Sequence, residues 1–230
     1  MPIAIDVLVP TTRGADEAIA SARRAAPDLD LRFAVVPDPD RRGPAWARNE
    51  AARRGSAPLI ALLDDDDRWL PGRLAAAPAL LERPDLALVC SDAVLQPGGL
   101  FLSPARGGRR RAVPAGDHGH GALVADCFVC ASTVTLRRVD WERAGGMPED
   151  LRNAEDYALW LRLTADGRAV HVLPDVLVRY GVGDRSDALD SDPAAAVAGA
   201  REALRREAKV PVSATRFGWR AAVEAWIRAV

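Results

Sequence analysis

The first 95 residues alternate between short apolar runs and helical patterns, and this alternation restricts the chain more than any other feature. Residues 3–9 form an apolar run that stops at Pro10, and residues 14–26 carry an Ala-rich helical pattern ended by Pro27. A second apolar run covers 31–36. Residues 44–54 read as a helix with Pro44 in its first turn, where the missing N–H costs nothing. A third apolar run, 59–63, ends in four consecutive Asp; a helical pattern follows over 71–82 and a fourth strand over 86–94. Strand–helix repetition of this kind predicts an α/β fold, a parallel sheet with helices on its faces. Such sheets bind ligands beyond the carboxyl ends of their strands. Functional residues are therefore expected near 10–13, 37–41 and 64–68.

Residues 96–120 are rich in Gly, Pro and Arg and read as one long loop, a feature that in compact domains is usually functional or disordered. Beyond it the pattern predicts a strand over 132–137, a helix over 153–165, short strands over 169–173 and 176–180, and two C-terminal helices over 193–208 and 213–229. The 230 residues suit one large domain. With 31 basic and 32 acidic residues the net charge is -1, which argues against a general nucleic-acid binder, since such affinity rests on an excess of cations. The N-terminus has no basic stretch ahead of an apolar one, and no apolar run approaches the roughly 20 residues of a membrane span. Three Cys are too few for a disulfide framework. A soluble cytoplasmic protein without an integral membrane segment is expected. Trp219, Trp226 and Ile227, set among Arg, leave peripheral membrane contact open.

Asp64-Asp65-Asp66-Asp67 is the strongest local signal. Adjacent carboxylates raise one another's proton affinity, and a hard divalent cation such as Mn2+ or Mg2+ relieves that conflict while keeping sites open for water and substrate phosphate. Alternate residues at a strand end point the same way, so Asp64 and Asp66 can face one site. The competing reading is a solvated turn that caps the next helix. A second acidic pair, Glu155-Asp156, opens a helix. Asp156, Leu159, Trp160 and Leu163 share one face of it, which turns Asp156 toward the protein body, and Glu155 aligns with Arg162. An inward carboxylate has the raised proton affinity of a general base. Alternatively Asn153 is the N-cap and Asp156 its capping partner.

The stretch Gly43-Pro44-Ala45-Trp46-Ala47-Arg48-Asn49-Glu50, followed by Leu59 to Leu63, Asp64-Asp65-Asp66-Asp67 and Arg68-Trp69, resembles family 2 glycosyltransferases. That family has an Ala-Arg-Asn segment, a short helix, then an apolar strand entering an Asp-x-Asp-Asp turn. Val9-Pro10-Thr11-Thr12-Arg13, the segment Arg143-Ala144-Gly145-Gly146-Met147-Pro148-Glu149 and the Glu155-Asp156 helix also look like family segments. The resemblance covers roughly residues 3–185. It implies a GT-A fold, a Rossmann-like mixed sheet with helices on both faces. Residues 1–95 would form the nucleotide-sugar half, 96–185 the acceptor and base half of the same domain, and 186–230 appended C-terminal helices.

The resemblance also implies an activity: metal-assisted transfer of a sugar from a UDP, GDP or dTDP donor to a hydroxyl acceptor, with inversion; a small molecule is one acceptor class. Asp66 would bind the Mn2+ or Mg2+ on the diphosphate, with Asp64 on the ribose or sharing the metal. Pro10, Thr11, Thr12, Arg13, Asp38, Arg48 and Asp65 would line the donor. Asp156 would be the base, and Glu155, His118 and His120 would lie on the acceptor side. Two segments depart from the family. Val36-Pro37-Asp38-Pro39-Asp40 keeps only Asp38 of a base-reading Asp pair. After the last strand there is no His near the metal, and Asp184 is the candidate replacement. His118, His120, Cys127 and Cys130 have the residue types of a zinc site, but Cys127 to Thr135 reads as a buried strand. Two other classes stay in view: a sugar-phosphate nucleotidyltransferase, poorly matched by Thr11-Thr12-Arg13-Gly14, and a non-catalytic nucleotide-binding relative.

Overall fold

The computed structural model of the chain describes residues 3–95, 114–181 and 193–208. β1 (Ala4–Thr11) lies between two parallel neighbours, β2 (Asp30–Pro37), which pairs along its whole length, and β3 (Leu59–Leu62), which pairs with Ile5 to Leu8. Between them in sequence lie α1 (Asp16–Ala25) and α2 (Pro44–Arg54). The remaining elements are β4 (Arg68–Trp69), α3 (Ala77–Leu80), β5 (Leu86–Leu95), β6 (Gly116–His118), α4 (His120–Ala125), β7 (Thr135–Arg137), α5 (Arg138–Ala144), α6 (Glu155–Thr164), β8 (Ala169–Tyr180) and α7 (Pro193–Ala203). They complete one sheet of order β2-β1-β3-β7-β5-β8-β4, with β6 paired to β8. The sheet is mixed: β7 runs antiparallel to both β3 and β5, and β4 and β6 run antiparallel to β8.

Side-chain alternation sorts the sheet residues onto two cores. Leu8, Ile60, Leu62, Leu88 and Cys90 face one layer with α2, α6 and α7, where Tyr157, Leu159 and Trp160 are completely enclosed. Ile5, Val7, Val9, Ala61, Leu63 and Val89 face the other with α1 and α3, under Trp69 and Leu74. Helices therefore cover both faces. The buried Ala residues of α1 and α2 allow those helices to lie close to the strands.

Several boundaries differ from the sequence reading. The helix expected over 71–82 shrinks to Ala77–Leu80, because Gly72 adopts φ +85 and Pro78 allows a helix only from its own first turn onward. The loop expected over 96–120 contains β6 and the start of α4 at its end, and residues 96–113 lie outside the described part. Residues 131–133 are a 3-10 turn, β7 is shorter than expected, and α5 follows it without a spacer. The two short strands predicted near the end are one, β8, which runs through Pro174. The helix of 193–208 is α7 ending in a π turn at Leu204–Ala208. The expected helix over 213–229 and Asp184 lie outside the described residues. Among the described residues no helix is long and apolar enough to cross a membrane.

Candidate active site

The carboxyl ends of β1, β2 and β3 open onto a cleft of about 430 Å3, closed on its far side by the N-terminus of α6. Pro10, Thr11, Thr12, Arg13, Asp38, Arg48, Asp64, Asp65, Asp66, Glu155 and Asp156 all line it. His118 and His120 do not. His118 is hydrogen-bonded to Pro114 O at 2.7 Å with its ring edge-on to Phe128, and His120 is 2.9 Å from the Thr164 hydroxyl. Cys130 is buried beside the cleft, where desolvation first and then the charge of Asp67 push its thiol well above the ordinary range. A groove of similar size at the amino ends of the strands, around Pro58, Leu81 and Val139, is mostly apolar, with Glu82 and Glu142 among its lining residues.

The four Asp after β3 have four different surroundings. The turn closes with Asp67 N–H donating to Asp64 O at 3.1 Å, and Asp64 N–H donates to the Ser132 hydroxyl at 3.0 Å. Asp64 accepts from Arg48 Nη2 at 2.6 Å. Asp65 accepts from the Thr11 hydroxyl at 2.7 Å and from Thr12 N–H at 3.3 Å. Asp66 has only a loose pairing with Arg13, 3.7 Å away, and its side chain stays a quarter exposed to the cleft. Burial, then the charges of Asp64 and Asp65, raise its proton affinity. Asp67 points the other way. It is completely buried, accepts from Gly181 N–H at 2.8 Å and leaves one oxygen without a partner. Desolvation and the neighbouring Asp64 and Asp66 charges push it well up. The acidic run is therefore not a uniformly solvated turn: three carboxylates meet at the cleft and one anchors the turn to the end of β8.

A resident divalent cation fits this arrangement in one particular way. Among the described residues no three His, Cys, Asp or Glu groups converge as a ready-made cage. Asp66 is the least engaged carboxylate, and it lies in a cluster whose mutual repulsion a cation would relieve. Cations such as Mg2+ are commonly held by one or two carboxylates plus substrate phosphates, which is what this donor set offers.

At the other wall, α6 begins after Ala154, whose φ of 62° is unusual for a residue with a Cβ. Asn153 is not the cap; no side chain caps this helix. Asp156 accepts from Tyr157 N–H at 2.7 Å and is half-buried at the cleft surface. It therefore opens onto the cleft at the top of the inward stripe of Leu159, Trp160 and Leu163. Burial raises its proton affinity and Asp64 adds to this, while Arg48 opposes both. Glu155 is buried, and its expected alignment with Arg162 is not seen. Glu155 accepts from Arg48 Nη1 at 3.1 Å, whereas Arg162 pairs with Glu207 at 2.6 Å. Burial, then Asp156, carry the Glu155 carboxyl up to about 7 against the pull of Arg48.

Two sequence-selected donor residues have occupied side chains. Both oxygens of Asp38 accept backbone N–H groups, from Arg42 at 2.9 Å and Gly43 at 2.7 Å, so Asp38 shapes the loop that leads into α2. The Thr11 hydroxyl accepts from Arg13 and Gly14 N–H while donating to Asp65. The structure adds residues that the sequence did not mark. Arg41, at φ 52°, and Ala154 are the non-glycine residues with positive φ among those described, and both line the cleft. Strained backbone of this type clusters at functional sites. Ser132 and Gly181, which fix the acidic turn, gave no sequence signal.

A family model described as "Glycosyl transferase family 2" matches residues 12–143, more than half of the chain. A succinoglycan biosynthesis protein, ExoU of Rhizobium meliloti (strain 1021), is 45% identical over 73 residues, 32% of this chain and 21% of that protein. The UDP-Glc:alpha-D-GlcNAc-diphosphoundecaprenol beta-1,3-glucosyltransferase WfaP of Escherichia coli is 27% identical over 142 residues, 60% of this chain and 51% of that one. The chain thus spans about half, or less, of the length of these curated relatives. Among solved structures, S. aureus TarS 1-349 in complex with UDP superposes with a TM-score of 0.60 at 13% identity, covering 92% of this chain and 68% of that one. The mannosyltransferase PcManGT from Pyrobaculum calidifontis, in complex with GDP-Man and Mn2+, gives 0.59 at 18% identity, covering 99% and 75%. These likenesses confirm the GT-A architecture expected from the sequence.

Proposed function

The chain belongs to glycosyl transferase family 2, and from that premise we propose that it transfers a glycosyl group from a nucleoside-diphosphate sugar to an acceptor hydroxyl, with inversion and with the help of a divalent cation. One observation carries this reading: the acidic turn after β3 and the Glu155-Asp156 pair, distant in sequence, face the same cleft at the carboxyl ends of the parallel strands. The donor diphosphate lies along Thr12, Arg13 and the acidic turn, with Asp66 and the open side of Asp64 as the groups that hold the cation. A cation held by these carboxylates would supply neutralisation of the charge that develops on the departing diphosphate. Asp156 accepts the acceptor O–H proton as that oxygen bonds to the anomeric carbon. The carbon–oxygen bond to the diphosphate breaks on the opposite side, and the nucleoside diphosphate leaves. The relatives support both uridine and guanosine donors, since the TarS complex holds UDP and the PcManGT complex GDP-Man.

A thermal-shift series with UDP, GDP and dTDP, each with and without Mn2+, tests the reading. The matching nucleotide at 100 times its Kd should add about 2.7 kcal/mol, more with the cation than without it. Asp66→Ala should abolish the cation's contribution. Equal stabilisation with Mn2+ and with EDTA would remove the metal from the proposal, and release of pyrophosphate in place of nucleoside diphosphate would favour nucleotidyl transfer.

A further inference from the structure

Arg48 lies near the start of α2, on the face turned to the sheet. It is 4% exposed. Its Nη2 donates to Asp64 Oδ1 at 2.6 Å and its Nη1 to Glu155 Oε1 at 3.1 Å, with the Met147 sulfur 3.8 Å from Nη1. Nε is buried without a partner. The next residue, Asn49, pins the segment that leads to α6. Its amide donates to Met147 O at 2.8 Å and to Glu149 at 2.9 Å, and its carbonyl oxygen accepts from Met147 N–H at 2.9 Å. A Cβ on Gly146 would lie 2.4 Å from that same oxygen, so the segment sits flush against α2. Two adjacent side chains of one helix thus hold both the acidic turn and the approach to the base.

An arginine that grips a diphosphate presents a free fork to solvent. Each terminal nitrogen of Arg48 is instead committed to a carboxyl group of the protein before any donor arrives. Resting on the glycosyl-transfer reading, we propose that Arg48 is a positioning residue and not a phosphate ligand: its guanidinium ties Asp64 of the metal-side turn to Glu155, the neighbour of Asp156, and so sets the distance between leaving group and base. Burial alone would lower its proton affinity, but the two carboxylates outweigh it and keep the cation fixed.

The test compares the full-length wild type with Arg48→Lys and with the double variant Arg48→Met/Glu155→Met, which removes both buried charges together and so protects the fold. Three quantities are read: nucleoside-diphosphate affinity in EDTA, kcat for transfer, and hydrogen exchange of the ligand-free protein over residues 63–68 and 153–158. We expect the double variant to keep the metal-free affinity of the wild type, to lose about 10²-fold in kcat, the scale of a misplaced reacting group, and to exchange faster in both segments. Lys has donors enough for two carboxylates but lacks the planar fork that spans Asp64 and Glu155 from one fixed position, so it should not restore kcat. A phosphate ligand would behave oppositely, with metal-free affinity falling tenfold or more and Lys recovering it, and that result would overturn the proposal. So would wild-type kcat or unchanged exchange in the double variant. If the wild type binds no nucleoside diphosphate under any condition, the glycosyl-transfer reading fails instead, and the exchange measurement still decides whether Arg48 ties the two segments.

Discussion

The cleft floor and the layer beneath the acidic turn each enclose one arginine; burial lowers the proton affinity of both, yet the two end up shifted in opposite directions. Arg48 sits between Asp64 and Glu155 and holds its proton more tightly than a free arginine. Arg73, between β4 and α3, is fully buried among neutral groups. It donates to Ser132 O at 3.4 Å and to the Thr135 hydroxyl at 3.1 Å, and its guanidinium lies 5.1 Å from the centre of the Trp69 ring. Burial lowers it to about 10. Depth is the same in both places; the charge of the partners decides the sign. The carboxylates around Arg48 face the cleft. Arg73 serves a fixed piece of scaffold: it and Trp69 share the Ser132 carbonyl, and the Ser132 hydroxyl accepts from Asp64 N–H.

The sharpest test of this contrast is at the residue the cleft-side cluster surrounds. Asp156→Asn keeps the shape and removes the basicity, so transfer should fall by about 10²–10⁴-fold with donor affinity and melting temperature nearly unchanged. A lowered melting temperature with normal turnover would make Asp156 a structural group. Next, the same substitution should act with different force at the two arginines. Arg48→Met strands buried carboxylates and should cost roughly 3–5 kcal/mol of stability. Arg73→Met removes a cation that has no acidic partner among the described residues and should be neutral or stabilising by about 1 kcal/mol. Urea midpoints measure both, and equal losses would erase the contrast.

A smaller effect concerns pH. Glu155 keeps its proton up to about 7 in the folded chain, against 4.5 for the free group. A folded value above the unfolded one favours the folded state below 4.5 and loses that advantage as pH rises toward 7. The metal-free melting temperature should therefore decline across that window, and Glu155→Gln should flatten the decline. A rise with pH in the wild type would mean that Arg48 outweighs burial at Glu155. The smallest effect is expected for Ser132→Ala, about 1 kcal/mol for one lost hydrogen-bond acceptor, visible as faster exchange at the Asp64 amide.

Local signals in the sequence predict the strand–helix alternation well. α2 occupies the residues expected of it because Pro44 and Gly55 punctuate both ends. α5 was hidden because Arg138-Val139-Asp140-Trp141 follows a strand with no turn residue between, and its inward Asp140 is buried only by virtue of Arg137, Arg143 and Arg168. At the site, residue types and strand ends identify the acidic turn and the Glu155-Asp156 pair as candidates. Which carboxylate turns inward is not local information: Asp67 looks like its three neighbours until Gly181, 114 residues later, donates to it. The link from Arg48 to Glu155, across 107 residues, is equally invisible to periodicity.

The strand order has a consequence for how the protein is made. β7, three residues long, lies between β3 and β5, and its Leu136 stands opposite Ile60 on one side and Leu88 on the other. β3 and β5 are not hydrogen-bonded to each other. A nascent chain emerging from the ribosome therefore holds the facing edges of β3 and β5 open until Arg137 is out of the exit tunnel, some forty residues after β5 is complete. Until then each open edge can pair with a neighbouring nascent chain. A cut between 96 and 134 would not yield an independently complete sheet, and complementation by two co-expressed fragments would require the second to insert the three residues of β7 between β3 and β5 of the first.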